Sequence, residues 1–109
     1  MTHDPKSMMI QLQGMEQQLQ SFGMQRQQLQ AQLLEVESAL EEVEGAKTAY
    51  RIIGGIMVSA DPVALKSELS EKKGSIGVRI KSVERQENSL KDKAQALQEE
   101  VLKVSGGKE

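Results

Sequence analysis

Residues 49–62 read A-Y-R-I-I-G-G-I-M-V-S-A-D-P, and they divide a chain of 109 residues into two long, similar halves. Two short runs, residues 50–53 and 56–59, are rich in Tyr, Ile and Val, whose branched or aromatic side chains suit a pleated surface. Between them lies Gly54-Gly55, and a two-residue type I′ turn needs φ > 0 at both of its central positions. The predicted hairpin pairs Ile53 with Ile56, Ile52 with Met57, Arg51 with Val58 and Tyr50 with Ser59. Alternation then puts Tyr50, Ile52 and Met57 on one face and Ile53, Ile56 and Val58 on the other. A lone two-stranded hairpin is marginal in water. One that is apolar on both faces, with open edges, invites further strands. The hairpin could instead cap the helices by folding back on them. Thin helices offer little surface for covering two faces, so the preferred reading is a sheet shared between molecules.

On either side of this stretch the pattern becomes helical. Asp4-Pro5 is a start signal, a capping carboxylate before a proline at the first helical position. From there a heptad seam runs without a skip. Its a positions are Leu12, Leu19, Arg26, Leu33 and Leu40; its d positions are Met8, Met15, Phe22, Leu29, Val36 and Val43. Ten of these eleven are apolar, well beyond a chance match to the coiled-coil template. Glutamine is dense in the first part of this segment, yet the apolar spacing stays strict, so the glutamines form a neutral solvent face rather than a low-complexity tract. Gly45 is placed to terminate the helix. The span is about 40 residues, or ~60 Å at ~1.5 Å per residue.

Asp61-Pro62 repeats the start signal. The second seam has d positions Leu69, Ile76, Val83, Leu90, Leu97 and Val104, and a positions Lys66, Lys73, Ile80, Glu87, Ala94 and Val101. Gly74 and Gly77 lie inside this helix at roughly 1 kcal/mol each relative to alanine. They mark either a softer segment or a place of close packing. Ser105-Gly106-Gly107 ends the pattern. The expected elements are a helix over about 5–44, a hairpin over about 49–60 and a helix over about 62–104, within a single domain covering 1–109. The fold class is mostly α: a long antiparallel two-helix coiled coil joined by one β-hairpin that shares a sheet with other molecules.

Folding the chain back at Gly54-Gly55 pairs positions whose numbers add to 109. Leu19 then meets Leu90, Leu29 meets Ile80, Leu33 meets Ile76 and Leu40 meets Leu69, each a position facing a d position. A shift by a whole heptad would preserve that pattern. The two polar seam residues, Arg26 and Glu87, fall in neighbouring layers and within diagonal reach. They either lock the register or snorkel separately to water.

Composition excludes much chemistry. Cysteine is absent, which removes disulfides, thiol catalysis and cysteine metal sites. The single histidine, His3, stands without a ligand cluster. No Lys-Ser or Lys-Thr follows the paired glycines, so they are not a phosphate loop. Carboxylates lie along solvated helix faces, where nothing raises a pKa for acid–base work. No enzyme, cofactor or metal site is expected. No run is apolar enough to span a bilayer and no signal peptide is evident, which makes the cytoplasm the default location. The net charge is −2, and residues 1–44 carry seven acids against Lys6 and Arg26, which argues against nucleic-acid binding. What remains is surface. Met8, Met9, Ile10, Leu12 and Met15 at one helix end, with Leu97, Val101, Leu102 and Val104 at the other, are candidates for contact with partners. Met9, Ile10 and Leu102 lie off the seam, and methionine suits surfaces that accept many partners. The plain alternative is ordinary helix-end residues.

Taken together, the hairpin Y-R-I-I-G-G-I-M-V, then D-P-V-A-L-K-S-E-L-S-E-K-K and V-R-I-K-S-V-E-R-Q-E-N-S-L-K-D-K, resemble the prefoldin β subunits of the archaeal type, which are similar to eukaryotic prefoldin subunit six. The resemblance covers nearly the whole chain and is most specific over residues 50–58 and 84–87. It implies an ATP-independent chaperone in which two α-type and four β-type subunits join hairpins into a double β-barrel platform. Six coiled coils hang from that platform, and their distal tips hold non-native proteins and deliver them to a group II chaperonin. α-type subunits carry two hairpins and this chain has one. The connection over residues 44–50 is shorter than is common in the family. Carried over by position, the platform role falls on Tyr50, Ile52, Ile53, Ile56, Met57 and Val58. The client role falls on Met8, Met9, Ile10, Leu12, Leu97, Val101 and Leu102. The rival from another class is a self-associating structural coiled-coil tether that binds no clients.

Overall fold

In the computed structural model, residues 4–106 are described. His3 and Gly107 lie outside them. The elements run α1 (Pro5–Val43), β1 (Ala49–Ile53), β2 (Ile56–Ala60) and α2 (Pro62–Gly106), so the chain is two long helices with one hairpin between them. Both helices begin where an aspartate precedes a proline. Met8 N–H donates to the Asp4 carbonyl at 3.0 Å, and Leu65 N–H donates to the Asp61 carbonyl at 2.9 Å. Each aspartate carbonyl thus accepts the first helical bond, while the proline sits where an N–H would have no intrahelical acceptor. At the other end of α1, Gly45 has φ 74° and Ala46 N–H bonds back to the Val43 carbonyl at 3.0 Å. That left-handed step is one a side chain would oppose, and it stops the helix. α2 continues through Ser105 to Gly106, two residues past the last seam position.

The described residues fall into two compact units, residues 28–80 and residues 4–27 with 81–106. The first contains the hairpin. Its strands pair antiparallel, with Ile53 opposite Ile56, Ile52 opposite Met57, Arg51 opposite Val58, Tyr50 opposite Ser59 and Ala49 opposite Ala60. Gly54 and Gly55 have φ values of 56° and 81°, the pair of positive angles that the turn requires. Below the hairpin, Leu29, Val36, Ile76 and Ile80 are buried, and Leu33, Leu40 and Leu69 are half-buried. Two ion pairs join the helices here: Lys66 Nζ lies 2.7 Å from Glu44 Oε2, and Lys73 Nζ lies 3.6 Å from Glu37 Oε2. In both pairs the residue numbers add to 110, one away from the sum the turn predicts. A heptad slip would have moved Glu37 seven residues away from Lys73. The pairs also account for lysine at two a positions, since the stems lie along the seam while the exposed ammonium groups reach acids on α1.

In the second unit, Met8 and Val83 are buried, and Leu12, Leu19, Phe22, Leu90, Leu97 and Val101 are half-buried. The seam therefore faces inward in this unit as well. The sequence left Gly74 and Gly77 open between softness and close packing. A Cβ built on either would meet nothing within 4 Å, so close packing within the chain is not their reason.

Candidate functional site

Strand alternation places the six hairpin residues singled out in the sequence on two opposite faces, and both faces are uncovered. Tyr50, Ile52, Ile53, Ile56, Met57 and Val58 range from 41% to 71% exposed. The hairpin does not fold back over the helices of its own unit, which removes the capping alternative. The sheet has two strands, so the outer edge of each strand keeps its free N–H and C=O groups. Apolar faces and unpaired edges together make a surface that is complete only with more strands beside and across it. Arg51 steadies the base, donating from its terminal guanidinium nitrogen to Glu68 Oε2 on α2 at 2.6 Å. Neither this ion pair nor the two lysine pairs followed from periodicity, because long side chains leave their own heptad position to find a partner.

The second candidate surface is made by the N-terminal end of α1 and the C-terminal end of α2. The seven residues to which the resemblance gives the client role divide into two groups. Met8 is 2% exposed, the most deeply buried large side chain described, and Leu12, Leu97 and Val101 are half-buried. Met9, Ile10 and Leu102 are exposed, at 53%, 63% and 64%. The helical period explains the split. Met8 is a d residue turned to the other helix, while Met9 and Ile10 are rotated out of the seam by one and two steps of ~100°. Four further exposed apolar residues, Met24, Leu34, Val63 and Val78, were not singled out in the sequence. All lie off the seam, and that property is the signal that could have found them.

Between these surfaces in sequence, Arg26 and Glu87 interrupt the seam with charge. Arg26 Nε donates to Glu87 Oε1 at 2.7 Å, and a terminal guanidinium nitrogen donates to Oε2 at 3.3 Å. Glu87 is only 7% exposed, so it does not snorkel to water, while the Arg26 side chain keeps about a third of its surface in solvent. The bidentate geometry holds both carboxylate oxygens. The hydrogen bond from Arg26 is the main cause that holds the Glu87 carboxyl below its usual pKa. Burial opposes it, and the charges of Arg26 and Lys91 add to it. The same bond raises the guanidinium further.

Among the described residues there is no group of three or more His, Cys, Asp or Glu able to hold a metal ion. No helix among them is long and apolar enough to cross a membrane.

Residues 6–108 match a protein-family model described as "Prefoldin subunit". The chain is similar to the prefoldin subunit beta of Methanococcus maripaludis, 36% identical over 61 residues, which is 56% of this chain and 54% of that protein. Against the prefoldin subunit beta of Sulfurisphaera tokodaii it is 32% identical over 54 residues, covering 50% of this chain and 43% of the other. The chain thus spans about half the length of the curated relatives it matches. The crystal structure of the prefoldin beta subunit from Thermococcus strain KS-1 superposes with a TM-score of 0.85 at 31% identity, over 92% of this chain and 90% of that one.

Proposed function

Because the chain belongs to the prefoldin subunit family, as a β-type member, we propose that it is a subunit of an ATP-independent chaperone. Residues 1–109 act as one prefoldin-like domain. Four copies join two α-type subunits through the hairpins, with Tyr50, Ile52, Ile53, Ile56, Met57 and Val58 buried in a shared double β-barrel. The observation that carries this reading is the hairpin itself, apolar on both faces and open at both edges. Non-native proteins are held at the free helix ends, where Met9, Ile10 and Leu102 make first contact. Met8, Leu12, Leu97 and Val101 form the apolar layer beneath. The complex passes its clients to a group II chaperonin. The role is binding without bond-making chemistry, in the cytoplasm, with no cofactor.

Several weak apolar contacts made by several subunits at once give useful retention through avidity, and each alone remains easy to release. The test has two parts. Native mass spectrometry, with and without an α-type subunit, should show a hexamer of two α and four β. Substoichiometric hexamer should then suppress aggregation of an unrelated denatured protein. Assembly without suppression would leave the tether reading standing and sink the chaperone one.

A further inference from the structure

Among the described residues, the methionines fall into two classes of exposure, set by whether each lies on the seam. Met8 is sealed and Met15 is half-buried, and both are d residues of the seam. Met9, Met24 and Met57 are more than half exposed. A thioether in open solvent takes up one oxygen from a peroxide-class oxidant. A sulfur lone pair attacks the O–O bond, a sulfoxide S–O bond forms, the O–O bond breaks and water leaves. The product is a polar, chiral group in place of a flexible apolar one. A thioether buried in a seam is shielded from the same reaction by its neighbours.

Met8 and Met9 are adjacent, so one helical turn holds a protected thioether beside an open one. We propose that Met9 is a reversible oxidation site, at which a peroxide-class oxidant lowers capture of apolar clients while the coil stays intact. This rests on the reading of the helix ends as the client surface. Leucine would supply the same apolar area at position 9 without a reactive sulfur, so the chemistry is specific to the residue present. Sealed Met8 keeps the helix pair closed after Met9 has reacted. Met24, more open still at 65% against 53% and fifteen residues further along α1, is an internal control, because its oxidation touches no residue assigned to clients. Met57 belongs to the hairpin and is covered wherever the hairpin is assembled.

The experiment treats the assembled hexamer with increasing hydrogen peroxide, removes the peroxide and maps sulfoxides by mass spectrometry. Capture of a denatured client is then measured, with each variant referred to its own untreated level. Met9 and Met24 should convert first and Met8 last. Capture should fall by roughly threefold or more as Met9 converts, since small losses multiply across several subunits. Methionine sulfoxide reductase should restore it. Met9→Leu, whatever its starting capture, should lose no more on treatment, and Met24→Leu should remain as sensitive as the parent. Full conversion of Met9 with unchanged capture would overturn the proposal, and so would equal sensitivity of Met9→Leu. Substituting Met9, Ile10 and Leu102 together separates this from failure of the underlying reading. If those substitutions abolish capture while the Met9 sulfoxide does not, only the oxidation inference falls.

Discussion

The hairpin and the helix ends both present apolar side chains to solvent, yet they make different demands on what covers them. On the hairpin, Ile52, Ile53 and Ile56 stand on two faces of a sheet whose outer edges carry unpaired backbone groups. A partner there must bring strands in register, because backbone hydrogen bonds are directional and leaving them unmade in a buried place is costly. Met9, Ile10 and Leu102 each lie four or more residues inside a helix, where the backbone is already bonded internally, so they offer only side chains. Contact of that kind is non-directional and scales with apolar area. On the proposed reading, the first surface suits a permanent, specific partner, and the second suits many transient ones. The same residue types would then serve assembly in one place and capture in the other because of the backbone beneath them.

The sharpest way to break this comparison is to charge the hairpin. If the hairpin joins subunits as proposed, Ile53→Asp or Ile56→Asp places a carboxylate in the shared sheet. Each copy forfeits roughly 1.5–3 kcal/mol of apolar burial, and an unpaired buried charge adds to that. Light scattering should show the oligomer falling apart, while circular dichroism shows most of the helix retained. An intact hexamer would remove the hairpin from the interface.

The helix ends should respond in the opposite way. Changing Met9, Ile10 and Leu102 together to Ser or Gln leaves the seam untouched, so oligomeric state should hold and aggregation suppression should drop several-fold through lost avidity. Ser at solvent-facing Gln27 and Gln28 should do little. If the triple variant protects a denatured client as well as the parent does, capture belongs to another surface.

Arg26 and Glu87 bear on the coil rather than on either surface. The Glu87 pKa is lowered in the folded chain, so the stability it contributes is complete above the ordinary carboxylate pKa, ~4.3. That contribution is lost as pH falls through the lower folded value. Glu87→Gln should reduce the melting temperature at neutral pH, and the gap from the parent should close in acid. A gap that stays constant down to pH 2 would mean that the ion pair contributes nothing to stability. Replacing both residues by Leu should restore stability, since an apolar pair avoids desolvating charge, and any cost would appear as mixed register.

Most of the fold was legible because each level of the sequence agreed with the next. Gly54-Gly55 defined the turn, the turn defined the strand pairs, and extending its pairing sum along the chain came within one residue of the lysine ion pairs. The helix ends were less legible. Nine residues qualified there by type and position, and periodicity marked Met9, Ile10 and Leu102 as lying off the seam. How completely Met8 is sealed depends on the fit between two helices, which spacing does not report. Arg51 pairing with Glu68 was invisible for a related reason, since two exposed side chains seventeen residues apart carry no periodic signature.

The smallest effect concerns the unit that holds the hairpin. Gly74 and Gly77 weaken α2 by roughly 1 kcal/mol each relative to alanine, because glycine surrenders the most backbone freedom on entering a helix. In this chain, apart from the adjoining residues and the helix's own nearby backbone, no atom lies within 4 Å of the place where either Cβ would sit. Gly74→Ala and Gly77→Ala should therefore raise the stability of the isolated chain by about 0.5–1 kcal/mol each, measured by urea unfolding. Assembly of the proposed hexamer would decide what the glycines are for. If they give α2 freedom that the hairpin uses in joining its partners, the stabilised variants should assemble more slowly and reach the same hexamer. If a neighbouring subunit approaches the helix there, the added methyl groups should weaken the hexamer while still stabilising the free chain. Equal assembly rates and equal hexamer stability would show that the two glycines serve neither role, and that the contrast between the two surfaces owes nothing to the softness of the helix.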